Sequence, residues 1–595
     1  MTAKGRIGGL VTAGLLAAVI AACGSPDPGD ADLLLVGGEV WTGSGNGSGA
    51  TGVAVAGDRI LAVGSDDRVR RHEGPETRVV QLEGRFVAPG FIDNHTHFNR
   101  AGQLLLGVNL LDVSDEAAMV DSVRAARDRT PEGAWIVGGD WGAYEAWERG
   151  STGEDDDEGD PAAAGQTADP SGADDEFRPD RTVIDSITPE TPVLLSRWDG
   201  SLYLANGRAL ELAEAGCAWE GVECAEGAPT GRLTPAAAAR VRELVPPPTM
   251  EQRLEEARIA LRRLRRSGVT GIHDITPPEQ LRVFQRLHDA GELTTRVYAR
   301  PTLDRWDELQ EVGIEHGFGD RWLRIGGLKG FVDGIMGNSS ARFYEPYLTS
   351  GERGTWRTMM EEPPGMQELL TGADTAGHWP QVHAIGDQAI DTLLTMFERT
   401  LEANGERGGV TMPDGARERR WRVIHTQVLR GPEVADRMAR LGVVAEVQPY
   451  HAIDDMRWME QRIGDRARWA YAFRTLDEAG VRLSFGSDWP GTNAAWYPTS
   501  PVLGIYAAVT RQTLEGQPEG GWYPEERVDV ETALRAYTIN NAWAAGEEAE
   551  KGTLESGKLA DLVVLDRSPF EVDPPEIKDL RVEMTIVGGR LVYAR

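Results

Sequence analysis

Short apolar runs broken by Gly and polar turn residues occupy both ends of this chain. Residues 32–41 and 52–64 read as strands with turns, and residues 559–566 and 584–593 repeat the pattern near the other end. Both ends are predicted to join into one small β-domain of sandwich type, built from residues 32–85 and 552–595. Between them the pattern changes. Apolar strand-like runs alternate with helical stretches such as 250–266, 278–290 and 387–404, which predicts a parallel α/β architecture. Eight runs can be counted: 86–93, 269–274, 295–300, 323–332, 380–384, 421–425, 443–448 and 481–487. Eight such units predict a (β/α)8 barrel over residues 86–551, with its chemistry at the C-terminal ends of the strands. Residues 105–249 then form a long insertion after the first strand, with strand-like runs of its own at 134–139 and 192–197.

The ends of these runs carry the candidate chemistry. The first ends in His95-Thr96-His97, and residues i and i+2 of a strand share a face, so two imidazoles can grip one metal ion. Lys329 lies near the end of the fourth run, His383 ends the fifth, His425 the sixth, and Asp488 the eighth. Each has an ordinary reading alone, as a core histidine or a helix-capping aspartate. Together they use four of the ten histidines, all at predicted strand ends. His273, on the second strand, is a further histidine able to face the site. Lysine usage adds an independent argument. Of 62 basic residues only Lys4, Lys329, Lys551, Lys558 and Lys578 are lysines, and Lys329 alone falls inside an apolar barrel strand. A buried charge there is costly, whereas a neutral amine can react with CO2 to give an anionic carbamate that bridges metals. The alternative is a buried lysine paired with Asp333.

Composition narrows the classes. With 595 residues and 41% hydrophobic content the chain can bury a large core, and its net charge of −32 argues against nucleic acid as a partner. Residues 151–176 are acidic, rich in Gly, Ala and Pro, and without a basic residue, and are expected to be a disordered surface loop. Residues 1–23 read as an export signal whose end, Val19-Ile-Ala-Ala-Cys23, resembles a bacterial lipobox. Cys23 would be lipidated and 24–31 would tether the protein to a membrane of the cell envelope; an ordinary signal peptide is the alternative. The remaining pair, Cys217 and Cys224, can form a disulfide in an oxidising compartment or stay as free thiols.

The motifs Ala88-Pro-Gly-Phe-Ile-Asp-Asn-His-Thr-His97, Lys329-Gly-Phe-Val-Asp-Gly334, His383-Ala-Ile-Gly-Asp387, Gln448-Pro449 and Gly486-Ser-Asp-Trp-Pro490 resemble the amidohydrolase superfamily, in particular its amidohydrolase 3, or YtcJ-like, branch. The resemblance implies one or two divalent ions, expected to be zinc. His95, His97 and Asp488 would hold one, His383 and His425 a second, with carbamylated Lys329 between them. It implies hydrolysis of a non-peptide C–N bond of a small molecule (an amide, N-acyl or N-formyl group) by metal-activated water, with Asp488 as the base. Ester or phosphoester hydrolysis and a non-catalytic ligand-binding role are the rival readings. Two motifs depart from the branch. Asp199-Gly200-Ser201 stands where Asp-Gly-His is usual, and Val423-Ile424-His425 where Ile-Glu-His is usual. Trp141, Tyr144, Asn206, Asp333, Trp489 and Trp496 are candidate pocket residues.

Overall fold

The computed structural model describes residues 29–45, 49–110, 113–131, 133–142, 177–197, 200–490 and 498–595. Cys23, Tyr144, Asp199, Trp496 and the acidic segment 151–176 lie outside them. The central residues form two parallel arcs, giving an α/β fold of TIM-barrel type. One arc runs, in spatial order, Leu323–Ile325, Arg296–Arg300, Val269–Ile275 and Phe91–Thr96. The other runs Leu328–Phe331, Pro380–Ala384, Arg422–His425, Val444–Val447 and Leu483–Phe485. Parallel bridges from Thr302 to Lys329 and from Thr96 to Trp489 link the arcs at both margins. The strands are short apolar runs buried on both faces, as helix-covered parallel strands must be. The helices Met250–Arg266 and Asp387–Asn404 cover the residues their periodicity predicts. A capping box at Thr249 and Gln252 starts the first of them by satisfying two otherwise unpaired N–H groups.

Two strands differ from the sequence reading. The run 86–93 is two strands. Phe86–Pro89 pairs antiparallel with Leu562–Leu565 in a sheet of the chain ends, and only Phe91–Thr96 joins the parallel arc. An apolar run does not reveal where its backbone partners change. The run 323–332 breaks at Gly326-Gly327. A Cβ at Gly326 would meet the Tyr298 ring at 2.2 Å, so the chain passes too close to that ring for any side chain there.

The chain ends supply two sheets. One has the order Arg59–Gly64, Gly52–Ala56, Ala31–Val36, Glu73–Gln81, and the other Glu39–Val40, Phe86–Pro89, Leu562–Leu565, Val582–Val587, Arg590–Ala594. Leu33, Leu35, Val53 and Val55 of the first share one hydrophobic cluster with Val87, Leu562, Val564 and Ile586 of the second. The insertion forms a five-stranded sheet of its own that includes Ile136–Trp141 and Val193–Arg197. At its edge Cys217 and Cys224 are disulfide-bonded. A short closed loop of this kind contributes about 2 kcal/mol. Among the described residues no helix is long and apolar enough to cross a membrane.

Candidate metal centre

The first and last parallel strands are held together by side chains that sequence reasoning passed over. Asn541 donates to the carbonyls of Ile92 and Phe485, the latter at 2.8 Å, and accepts from Ser484. Asn94 donates to the Ser484 carbonyl and, at 3.0 Å, to its hydroxyl. Asp93 accepts from the Ser487 N–H at 2.9 Å, from the Ser487 hydroxyl, and from the His95 N–H at 3.1 Å. A Cβ at Gly486 would meet Asn94 Oδ1 at 2.1 Å, so this close approach of the two strand ends requires glycine. It brings Asp488 beside the His-x-His pair. Asp274 completes the support by accepting from Thr96 Oγ1 and the Phe98 N–H, at 2.9 and 2.8 Å.

At these strand ends the histidines converge. Asp488 Oδ1 lies 3.2 Å from His95 Nε2 and 3.1 Å from His97 Nε2. One ligand atom from each of His95, His425 and Asp488 lies within 4.8 Å of the others. The rings of His383 and His425 are 4.5 Å apart between centroids, and those of His95 and His425 5.1 Å. Each of three imidazoles is oriented by a second contact. His95 Nδ1 is 2.8 Å from Glu446 Oε1, His425 Nδ1 is 2.8 Å from Gln448 Oε1, and His383 Nε2 is 2.9 Å from the Gly334 carbonyl. These acceptors place the proton on the bonded nitrogen, leaving a lone pair on the other. Burial, and then Lys329, push His95 down to about 3. Burial and the neighbouring His383 likewise hold His425 well below its ordinary value. Burial opposes ionisation of Asp488, but His95, His97 and His425 override it and hold its carboxyl well below the carboxylate range. His425, Thr426 and Asp488 have φ of 72°, 41° and 58°. Left-handed backbone of this kind costs non-glycine residues about 1–3 kcal/mol each and gathers at functional sites.

Lys329 is fully buried, and its Nζ has no hydrogen-bond partner. Burial, then Arg300, push its amine down to about 7, so a large share is neutral near pH 7. The anticipated alternative partner, Asp333, instead accepts the backbone N–H groups of Arg342, Ile385 and Gly386 and stands 3.4 Å from His383 Nε2. This donor set fits a divalent cation. It offers imidazoles and a carboxylate, and the buried His95 Nε2 and Lys329 Nζ make no hydrogen bond within the protein.

Other sequence candidates have different places. Trp141 is buried in the insertion's own core. Asn206 caps the helix Gly207–Leu212 and also bonds Thr188, Thr191 and Val193. Trp489 is packed among Phe98, Phe284 and Leu287. Trp141 and Trp489 thus take part in apolar clusters, and Asn206 caps a helix. Large aromatic and amide side chains near a predicted site are as able to fill a core as to line a cleft. His273 sits beneath the cluster, its Nδ1 2.8 Å from Arg422 Nη1. Arg300, Arg422 and Glu446 carry a signal like that of Lys329, a charged residue on a buried strand.

Farther out, Asp455 accepts from Gln427 Nε2 at 2.7 Å and from the Tyr471 hydroxyl. Burial, then Asp454, push its carboxyl up to about 8. The folded state thus keeps a proton that the unfolded chain releases above about pH 4. This contribution to stability is fully present below about pH 4 and is lost as pH rises towards about 8, by at most about 1.4 kcal/mol per pH unit. Asp455→Asn is expected to flatten that slope. Urea unfolding of both proteins at about pH 5 and about pH 7.5 measures it, and equal slopes would contradict the assignment.

Comparison with known proteins shows the family. The sequence model of the amidohydrolase family matches residues 78–593. The chain is 26% identical to the putative amidohydrolase YtcJ of Bacillus subtilis, over 94% of this chain and 99% of that protein. It is 27% identical to the N-substituted formamide deformylase of Arthrobacter pascens, over 95% and 98%. An uncharacterised metal-dependent hydrolase from Pyrococcus furiosus superimposes with a TM-score of 0.68 at 25% identity, over 91% of this chain and all of the other. The family match spans nearly everything from the chain-end sheets to the last strand, and so this chain belongs to the amidohydrolase family and is a metal-dependent hydrolase.

Proposed function

We propose that this enzyme hydrolyses a non-peptide C–N bond, in an amide, N-acyl or N-formyl group of a small molecule. The observation that carries the reading is the convergence of His95, His425 and Asp488 within 4.8 Å beside a buried lysine amine. His95, His97 and Asp488 form one metal position, and His383 and His425 a second. Lys329, if carbamylated, would add an anionic oxygen ligand to the set, and the occupant would be one or two zinc ions. A divalent cation here supplies the positive charge that acidifies water and polarises a carbonyl. Asp488, held as an anion, accepts the proton of the attacking water and delivers it to the leaving nitrogen. His97 is the half-exposed member of the set and so the one that solvent reaches, while Asp333 ties the loop after Lys329 to the N–H of Ile385. Likeness to a formamide deformylase supports the C–N bond.

On this reading the two parallel arcs close as a (β/α)8 barrel that begins at Phe91 rather than at 86, and the chain-end sheets, including Phe86–Pro89, pack as a composite β-sandwich. The protein is exported and anchored in the cell envelope through lipidated Cys23. The disulfide, at home in an oxidising compartment, supports export. The test is turnover of a panel of N-formyl and N-acyl amines, carbonyl esters and phosphoesters by the purified protein, with metal analysis alongside. Metal-dependent turnover of the amides is expected. Full activity in metal-free protein, or turnover of esters alone, would refute the reading.

A further inference from the structure

Beneath the histidines the strands point charge, not aliphatic side chains, into the interior. Arg300, Arg422 and Glu446 are each fully buried. Glu446 Oε1 accepts from Arg300 Nη1 at 2.8 Å, and Oε2 accepts from Arg422 Nη1 at 2.9 Å. Both guanidinium groups are tied to the backbone, Arg300 through the His273 carbonyl at 2.8 Å and Arg422 through the Ala544 carbonyl at 2.9 Å. The carboxylate is therefore fixed from two sides, and its remaining contact is the 2.8 Å bond to His95 Nδ1. Barrels of this type are normally filled by layers of branched apolar residues, and a buried ion cluster is no more stabilising than apolar side chains of the same volume. Stability alone does not account for the cluster, whereas the one group it presents to the site does.

We propose that Glu446, clamped by Arg300 and Arg422, is a positioning residue for metal binding. It holds the His95 proton on Nδ1 and aims the Nε2 lone pair at the position shared with Asp488. This rests on the metal-centre reading above but concerns a residue outside the ligand set. Removing an orienting carboxylate of this kind lowers metal affinity about 10–100-fold.

Zinc affinity is measured by chelator competition, with circular dichroism for folding, in wild type, Glu446→Gln, Glu446→Asp, and the double variant Glu446→Gln with Arg300→Gln. The double variant keeps the buried charge in balance should the single one not fold. A folded Gln variant is expected to bind zinc about 10–100-fold more weakly, with kcat reduced and KM little changed, and Glu446→Asp to recover part of the loss. Wild-type zinc affinity in a folded Gln variant overturns the proposal. So does loss of folding in both Gln variants, which would make the cluster purely structural. Failure of the wild-type protein itself to bind zinc would instead refute the metal-centre reading.

Discussion

Asp488→Asn is expected to lower kcat by about 10³-fold, within the range that general acid–base catalysis supplies. The carboxylate ionises well below neutral pH, so it is present as an anion that can take a proton from water. The amide is nearly the same size and can still face His95 and His97, but it cannot carry a proton from water to a leaving nitrogen. Metal content separates the two roles of this residue. Retained zinc with lost turnover identifies the base, whereas lost zinc reports the missing ligand. Unchanged turnover would assign the proton transfer to another group.

Lys329→Ala is expected to lower activity by roughly 10²–10³-fold, equivalent to the few kcal/mol that a second charge-stabilising ion supplies. Its amine is fully buried, shifted down to about 7, and without a hydrogen-bond partner, the state in which it can react with CO2. Truncation opens a space beneath the histidines into which a short carboxylic acid fits. Added formate, acetate or propionate is therefore expected to restore part of the rate and of the metal content. Full activity in Lys329→Ala would rule out the carbamate. Loss without rescue would make the lysine a packing or electrostatic element.

The fold was legible where local pattern and tertiary environment agree. Pro380–Ala384 and Asp387–Asn404 fall on the residues their periodicity predicts, because each is a short buried strand or a helix with one apolar face. It was illegible where one apolar run serves two sheets. Nothing local distinguishes Phe86–Pro89 from Phe91–Thr96, since both are buried and extended. Only their partners, Leu562–Leu565 and Val269–Ile275, separate them.

The site divides in the same way. His95, His97, Lys329, His383, His425 and Asp488 stand out in the sequence because metal chemistry restricts residue type, and strand ends restrict position. The tertiary structure alone decided what lies behind them. Glu446, Arg300 and Arg422 come from three strands, and Asn541 from a helix near the far end of the chain. Hydrogen bonding between strands distant in sequence has no local period to read. Sequence by itself thus determined the candidate residue types and their order along the chain. The fold determined which nitrogen of His95, His383 and His425 is offered and how the first and last strands are locked together. It also turned Trp141, Asn206 and Trp489 to packing and capping, because burial and orientation are properties of neighbours that meet only when the chain folds.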